Sequence, residues 1–150
     1  MTEAPRGIRN LNPGNLRPLS RGTFIGQSGV DTDEPDPPYI IFADMAHGIR
    51  AIVRELLAYQ NLDGCRTMRQ IFTRWAPGAD NNDPNSYAGL VAAQCSLGLD
   101  QPFTWSRPIL IAAVTAIVRE ENGTNSGEPW IDAITIAAGV DLGLGNVATS

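Results

Sequence analysis

The chain has 150 residues, 43% of them hydrophobic, which is enough for one ordinary core and too little for two independent domains. All 11 basic residues are arginines, and 16 acidic residues bring the formal net charge to -5. An acidic chain of this kind has no basic surface to hold a phosphate backbone, so we expect no nucleic-acid partner.

The sequence also predicts no cofactor and no membrane partner. Cys65 and Cys95 are the two cysteines, and their spacing fits neither a zinc site nor a disulfide framework, so we predict two buried thiols, no metal and no cofactor. The longest apolar run, residues 109–118, has about half the length that crosses a bilayer. The N-terminus lacks the pattern of a signal peptide, so we expect no membrane partner and no secretion of the protein by its own signal.

The N-terminal quarter, residues 1–48, is predicted to be a polar region of loops and short strands. Residues 23–26 and 39–42 are β-branched and aromatic runs, separated by an acidic and proline-rich stretch at 31–38. Such runs favour strands, and the stretch between them favours a loop. We therefore predict two or three short antiparallel strands.

The rest of the chain is predicted to be a helical core over residues 49–140, followed by a flexible tail at 141–150. Apolar residues recur at helical spacing in five stretches, which begin near residues 49, 68, 87, 108 and 129. Thr67 and Ser106 are candidate N-caps, and Gly98 is a candidate C-cap. The whole pattern predicts one α+β domain, mainly α, with about five helices and a small N-terminal antiparallel β region.

Residues 6–17 crowd three amides and three guanidinium groups around a Pro-Gly turn. These groups form directional hydrogen bonds to hydroxyl, acetamido and carboxylate groups, so they suit the rim of a site for a sugar or an anion. A solvated turn closed by its own side chains is an equally good interpretation of the same spacing. The candidate substrate-binding residues are Arg9, Asn10, Asn12, Asn15 and Arg17.

Glu120 and Glu121 end the most apolar helix of the chain, just before Gly123. A carboxylate at a helix C-terminus opposes the helix dipole, which disfavours its ionised form and suits a general acid. Successive helical residues point about 100° apart, so only one of the two can face a cleft. A pair of surface acids is the simpler explanation of the same string.

The remaining candidates are weaker. His47 is the single histidine, and without a partner nucleophile or a second metal ligand it is expected to form structural hydrogen bonds. Glu55 is expected on an exposed helix face. Either Asp44 or Glu55 is available as a second carboxylate for hydrolysis.

Several strings of the chain together resemble a family of phage and prophage proteins labelled virion structural proteins, some members of which are suspected of lysozyme-like activity. The resemblance covers nearly the whole chain. It is carried by RGIRNxNPGNxR at residues 6–17, by Phe42-Ala43 with Gly48-Ile49-Arg50-Ala51, by Thr67, Arg74-Trp75-Ala76-Pro77, Asn81-Asn82 and Tyr87, and by Glu121-Asn122-Gly123. The chain departs from the family at Leu11, which interrupts a run of asparagines, and at Glu120, where a histidine is common.

Residues 117–123 are also similar to a helix end of the lysozyme superfamily, which includes lytic transglycosylases and glucosaminidases. In that superfamily a catalytic glutamate ends an apolar helix and a small β region follows, whereas here the polar turn precedes the helix. The resemblance therefore implies a permuted lysozyme-like domain with Glu121 as the catalytic acid.

The function implied is a virion-associated protein that binds peptidoglycan glycan strands, with cleavage left open. Glycan strands and other virion proteins would be its partners, and it would act in the periplasm or cell wall if enzymatic. The alternative is a non-catalytic structural or assembly protein of the tail or capsid.

Overall fold

The structure, a computed structural model, describes residues 3–33, 38–75 and 84–145. These residues form six helices and one two-stranded antiparallel sheet, which confirms the predicted α+β, mainly α fold. In chain order the elements are α1 (Arg6–Arg9), β1 (Gln27–Asp31), β2 (Tyr39–Phe42), α2 (Met45–Asn61), α3 (Met68–Trp75), α4 (Pro84–Gln94), α5 (Arg107–Asn122) and α6 (Ala133–Leu144). No helix within these ranges is long and apolar enough to cross a membrane.

The sheet pairs β1 with β2, with Val30 opposite Ile40 and Asp31 opposite Tyr39. The prediction of a strand at 39–42 is confirmed, but the predicted strand at 23–26 is wrong. Phe24 turns inward to contact Phe42, with ring centroids 6.2 Å apart, and Gly26 has a φ of +87° and packs against His47. Pairing therefore begins only at Gln27.

Helix α2 begins at Met45, earlier than the apolar pattern indicates. The Asp44 carboxylate caps it, accepting from the backbone N–H of His47 at 2.8 Å and contacting His47 Nδ1 at 2.9 Å. His47 thus lies in the first turn of α2 and has the structural role expected of it. These hydrogen bonds also lower the pKa of Asp44.

Helices α2 and α6 lie closely side by side. A β-carbon on Gly139 would overlap the Ile49 side chain, and one on Gly143 would lie 2.6 Å from Val53 Cβ, so only glycine permits this approach. Helix α6 starts at Ala133, capped by Asp132, so the predicted start near residue 129 is wrong. It continues to Leu144, so residues 141–144 of the predicted tail are helical. Residues 146–150 lie outside the described residues.

Capping residues set the C-terminal end of α4 and the N-terminal start of α5. Helix α4 ends at Gln94, and Ser96, with a φ of +57°, takes the left-handed position predicted for Gly98. Leu97 then bonds back to Ala92 O at 2.9 Å and packs its side chain on the core. Ser106 caps α5 as predicted.

Helix α5 connects the parts of the core, since it packs against α1, α2, α4 and α6. Its residues Leu110, Ala113, Val114 and Ile117 are fully buried. Cys65 is buried and Cys95 half-buried, and both are free thiols. The contact with α1 brings the C-terminal end of α5 against the polar N-terminal turn.

Candidate functional site

Asn12 closes the polar turn from inside and has no exposed surface. Its amide nitrogen donates to Leu16 O and Ile40 O, both at 2.9 Å, and its Oδ1 accepts from Leu16 N at 2.9 Å. Every hydrogen-bonding group of this side chain thus shapes the turn and ties it to β2. A ligand has no access to Asn12 in this arrangement.

The last two residues of α5 hold the turn segment Pro13-Gly14-Asn15 at both of its ends. Asn122 Nδ2 donates to Pro13 O at 2.8 Å, and Asn15 Nδ2 donates to Glu121 Oε1 at 3.2 Å. Asn15 has a φ of +50°, a conformation that asparagine tolerates better than most residues. We call Glu121, Asn122 and these three turn residues the clasp.

Two glycines allow the clasp to close. The Oδ1 atoms of Asn15 and Asn122 are buried without a hydrogen-bond partner, and both point at Gly7 of α1 on the side where a β-carbon would stand. Gly14 similarly packs against Ile52 and the Trp75 ring, because a β-carbon there would lie 2.8 Å from Ile52 Cγ1. Neither position has room for a side chain.

Two aromatic residues complete the surroundings of the Glu121 carboxylate. Tyr87 donates its hydroxyl to Glu121 Oε2 at 2.9 Å and accepts from Trp75 Nε1 at 3.2 Å. Burial, and then the negative charge of Glu121, raise the pKa of Tyr87, so its hydroxyl stays protonated at neutral pH. Its ring stacks on Phe72 with centroids 5.2 Å apart, which holds the hydroxyl in place.

The two glutamates at the end of α5 have different surroundings. Glu120 is exposed, whereas Glu121 is half-buried and turned toward the turn. The angular offset between successive helical residues explains the difference. Only Glu121 therefore belongs to the candidate site.

The other predicted binding residues contact the β region and the N-terminus instead. Arg9 bonds Ala4 O at 2.8 Å, and Asn10 donates to Asp31 Oδ2 at 3.0 Å, which lowers the pKa of Asp31. Arg17 donates to Tyr39 OH at 2.9 Å with its guanidinium carbon 4.1 Å from the ring centroid. The structure thus divides the predicted set: Asn15 belongs to the clasp, Asn12 lies buried within the turn, and the other three residues lie elsewhere.

The residues considered as a second carboxylate have partners of their own. Asp44 caps α2, and Glu55 is half-buried with its pKa raised by burial and by the nearby charge of Asp63. Glu55 also bonds Tyr59, whose pKa burial raises as well. In the described ranges, no cluster of three or more histidine, cysteine or acidic side chains could hold a metal ion.

Sequence reasoning missed the roles of Trp75 and Tyr87, which periodicity alone places in the core. Both lie in strings that carried the family resemblance, and that was the available signal. Residues 76–83, which lie between Trp75 and Tyr87 along the chain, are outside the described residues.

Comparison with known proteins bears on what this site is for. No protein family model matches the chain. It is 33% identical over 127 residues to Protein P5 of Pseudoalteromonas phage PM2, an alignment that covers 83% of this chain and 76% of that protein. The chain belongs to the Protein P5 family. This membership confirms the predicted resemblance to phage proteins, while lysozyme-like activity stays a prediction.

Proposed function

We propose that this member of the Protein P5 family is a component of the phage particle that binds peptidoglycan glycan strands and cleaves them. Glu121 is the general acid of the proposed site. The observation that carries the proposal is the position of its carboxylate, held between the Asn15 amide and the Tyr87 hydroxyl. The similarity to a phage protein supports a location in the particle, where other virion proteins would be its partners.

A general acid must be held within hydrogen-bond reach of the atom that it protonates. Asn15 orients the Oε1 atom of Glu121, and in the proposal the acid carries its proton on Oε2, the oxygen that contacts Tyr87. The Tyr87 hydroxyl can rotate to accept from a protonated carboxyl, because a tyrosine hydroxyl both donates and accepts. The proton then passes to the leaving glycosidic oxygen as the bond from C1 to that oxygen breaks.

The nucleophile in this proposal comes from the substrate. Attack by the sugar's own 6-hydroxyl forms a new bond from O6 to C1, and the hydroxyl proton returns to the Glu121 carboxylate. The carboxylate is thereby reprotonated, so one acidic residue serves both halves of the reaction. Participation of the 2-acetamido oxygen, followed by attack of water, is the equivalent hydrolytic path.

Other side chains near the polar turn are proposed to contact the sugars. Asn15 contacts the acid itself, and Trp75 is half-buried beside it, so an exposed edge of the indole can pack on a sugar ring. Arg9 and Arg17 are proposed to contact neighbouring sugars along the strand, whereas Asn10 is buried and bonded to Asp31, so it supports the β region. Asn12 supports the turn rather than the ligand, since its side chain is fully buried.

The test is loss of turbidity in a suspension of purified peptidoglycan sacculi, followed from about pH 4 to 8. Glu121→Gln keeps the shape of the side chain but cannot donate a proton, so we expect the rate to fall by about 10²–10⁴-fold. Glu120→Gln is the matched control, because it removes the neighbouring, exposed charge, and we expect wild-type rates from it. A wild-type protein without activity at any pH in this range overturns the proposed cleavage.

A non-catalytic role in the particle is the second candidate, and one observation favours it. Both oxygens of Glu121 accept hydrogen bonds from other elements, as they would in a purely structural contact. In that case Glu121→Gln changes the melting temperature without any loss of a measurable reaction. Sedimentation of the wild-type protein with sacculi then shows whether it binds peptidoglycan without cleaving it or does not bind it at all.

A further inference from the structure

A cavity of about 100 Å³ opens beside Trp130, between the end of α5 and the beginning of α6. It lies on a face of α5 different from that of Glu121, because its α5 lining comes from Thr115, Val118 and Arg119. The remaining lining residues are Gly123, Thr124, Gly127, Pro129, Trp130, Ile131 and Ile136. Most of the wall is therefore apolar.

The outer wall of this cavity is rigidly built. Asn125 and Glu128 exchange two backbone hydrogen bonds, at 2.8 and 3.0 Å, across Ser126 and Gly127. Those two residues have φ values of +53° and +90°, as the tight turn of a two-residue hairpin requires. Trp130 is fixed by its Nε1, which donates to Asn122 O at 3.2 Å.

A preformed cavity binds without the entropy loss of ordering its own walls. Its size selects the occupant, because the apolar cavities known to hold a benzene ring are larger, at roughly 150 Å³. A volume of about 100 Å³ suits one branched aliphatic side chain instead. Few polar groups line it, so water there is poorly held and easily displaced.

Arg119 supplies the charge at the rim. Its side chain is exposed, and it forms no ion pair within the described part of the chain. Some other arginines are paired, as Arg69 is with Asp100 and Arg107 with Asp141. A guanidinium beside an apolar cavity is complementary to a carboxylate that follows or precedes an aliphatic side chain.

We propose that this cavity is a docking site for a peptide segment of another protein, which inserts one branched aliphatic side chain and places a carboxylate on Arg119. The site is separate from the clasp and does not depend on glycan cleavage. Trp130 nevertheless touches Asn122, so the partner would sit directly behind the end of α5.

The experiment is a titration of the ¹⁵N-labelled protein, followed by the Trp130 indole signal in NMR spectra. N-acetyl-leucine, which has the side chain and the carboxylate, should give a saturable shift with a Kd of about 1–10 mM, as expected for so small a ligand. N-acetyl-leucinamide lacks the charge and should bind at least about fivefold more weakly. N-acetyl-phenylalanine should be excluded by size.

Three variants complete the design. Arg119→Gln should lower the affinity for N-acetyl-leucine to that of the amide, and Arg66→Gln, at another exposed arginine, should leave it unchanged. Thr115→Phe should fill the mouth of the cavity from an exposed rim position and abolish the shift while the fold is retained. Equal binding of acid and amide, preference for phenylalanine, or no saturable shift overturns the proposal. Shifts of the same signals on concentrating the protein alone also overturn it, in favour of self-association.

Discussion

Asn122 donates its side-chain amide to the carbonyl of Pro13 at 2.8 Å, although 109 residues separate the two along the chain. The neighbouring Glu121 accepts from Asn15 at the other end of the same short turn. The polar N-terminal segment is thus held by the end of α5, so substitutions in either segment should change the stability of the other.

Asn122→Asp should destabilise the protein by about 2–4 kcal/mol. The substitution keeps the shape of the side chain but removes the donor to Pro13 O and to Val118 O, and it brings a charge to a position only 9% exposed. Urea unfolding measures the change. Asn125→Asp, at an exposed position on the hairpin, is the control and should change stability by less than about 0.5 kcal/mol.

Gly7→Ala should cost about 1–3 kcal/mol, because a β-carbon there meets Asn122 Oδ1 and lies 2.9 Å from the backbone oxygen of Asn12. Gly89→Ala is the matched comparison, since Gly89 lies in α4 with open space around it. Alanine favours a helix over glycine, so this variant should be more stable by up to about 1 kcal/mol. Equal effects at both positions would contradict the packing described for α1.

Tyr87→Phe should lower stability by about 1–2 kcal/mol, because it removes the donor to Glu121 and the acceptor for Trp75 while the ring still stacks on Phe72. A double-mutant cycle with Glu121→Gln isolates the contact between the two side chains. The coupling should be about 1 kcal/mol, and strictly additive effects would show that the hydroxyl and the carboxylate do not interact.

Glu55→Gln should stabilise the protein at neutral pH but not in acid. Burial raises the pKa of Glu55 in the folded state above its ordinary value of 4.5, so the folded state binds the proton more tightly than the unfolded chain does. The stability associated with that proton is fully present below about pH 4.5 and is lost as pH rises through the folded pKa.

Melting temperatures at about pH 4 and pH 7 test this. The variant should melt about 2 °C or more above the wild type at pH 7, and the two should nearly coincide at pH 4. Glu120→Gln, which removes an exposed carboxylate, is the control for the loss of one negative charge. A variant that is destabilised at pH 7 would mean that Glu55 forms a favourable ion pair.

The sequence predicted the helices well because their apolar periodicity is long and regular, as in α2 and α5. It failed at 23–26, where a β-branched run turns inward because Phe24 packs on Phe42. The four-residue α1 was not foreseen either, since Gly7 packs against the side-chain amide of Asn122, more than a hundred positions away. Local propensity contains no information on such distant contacts.

The candidate site was predicted in part for the same reason. The amide-rich turn and Glu121 each stand out in the sequence, and their direct contact through Asn15 could only be hypothesised. Trp75 and Tyr87 follow ordinary helical spacing, so nothing in their pattern indicated a hydrogen-bonded pair. The sequence also could not show how the predicted binding residues are divided, because that depends on the contacts of Asn10 and Arg17 with the strand residues Asp31 and Tyr39.

The sequence separation within the clasp has a consequence for biosynthesis. The ribosome releases the N-terminal turn first, and the residues that hold it emerge only 106 to 109 positions later. Long-range contacts of this kind form late and slowly. A nascent or truncated chain that lacks the end of α5 therefore has no assembled clasp, so the clasp forms only after the end of α5 has left the ribosome.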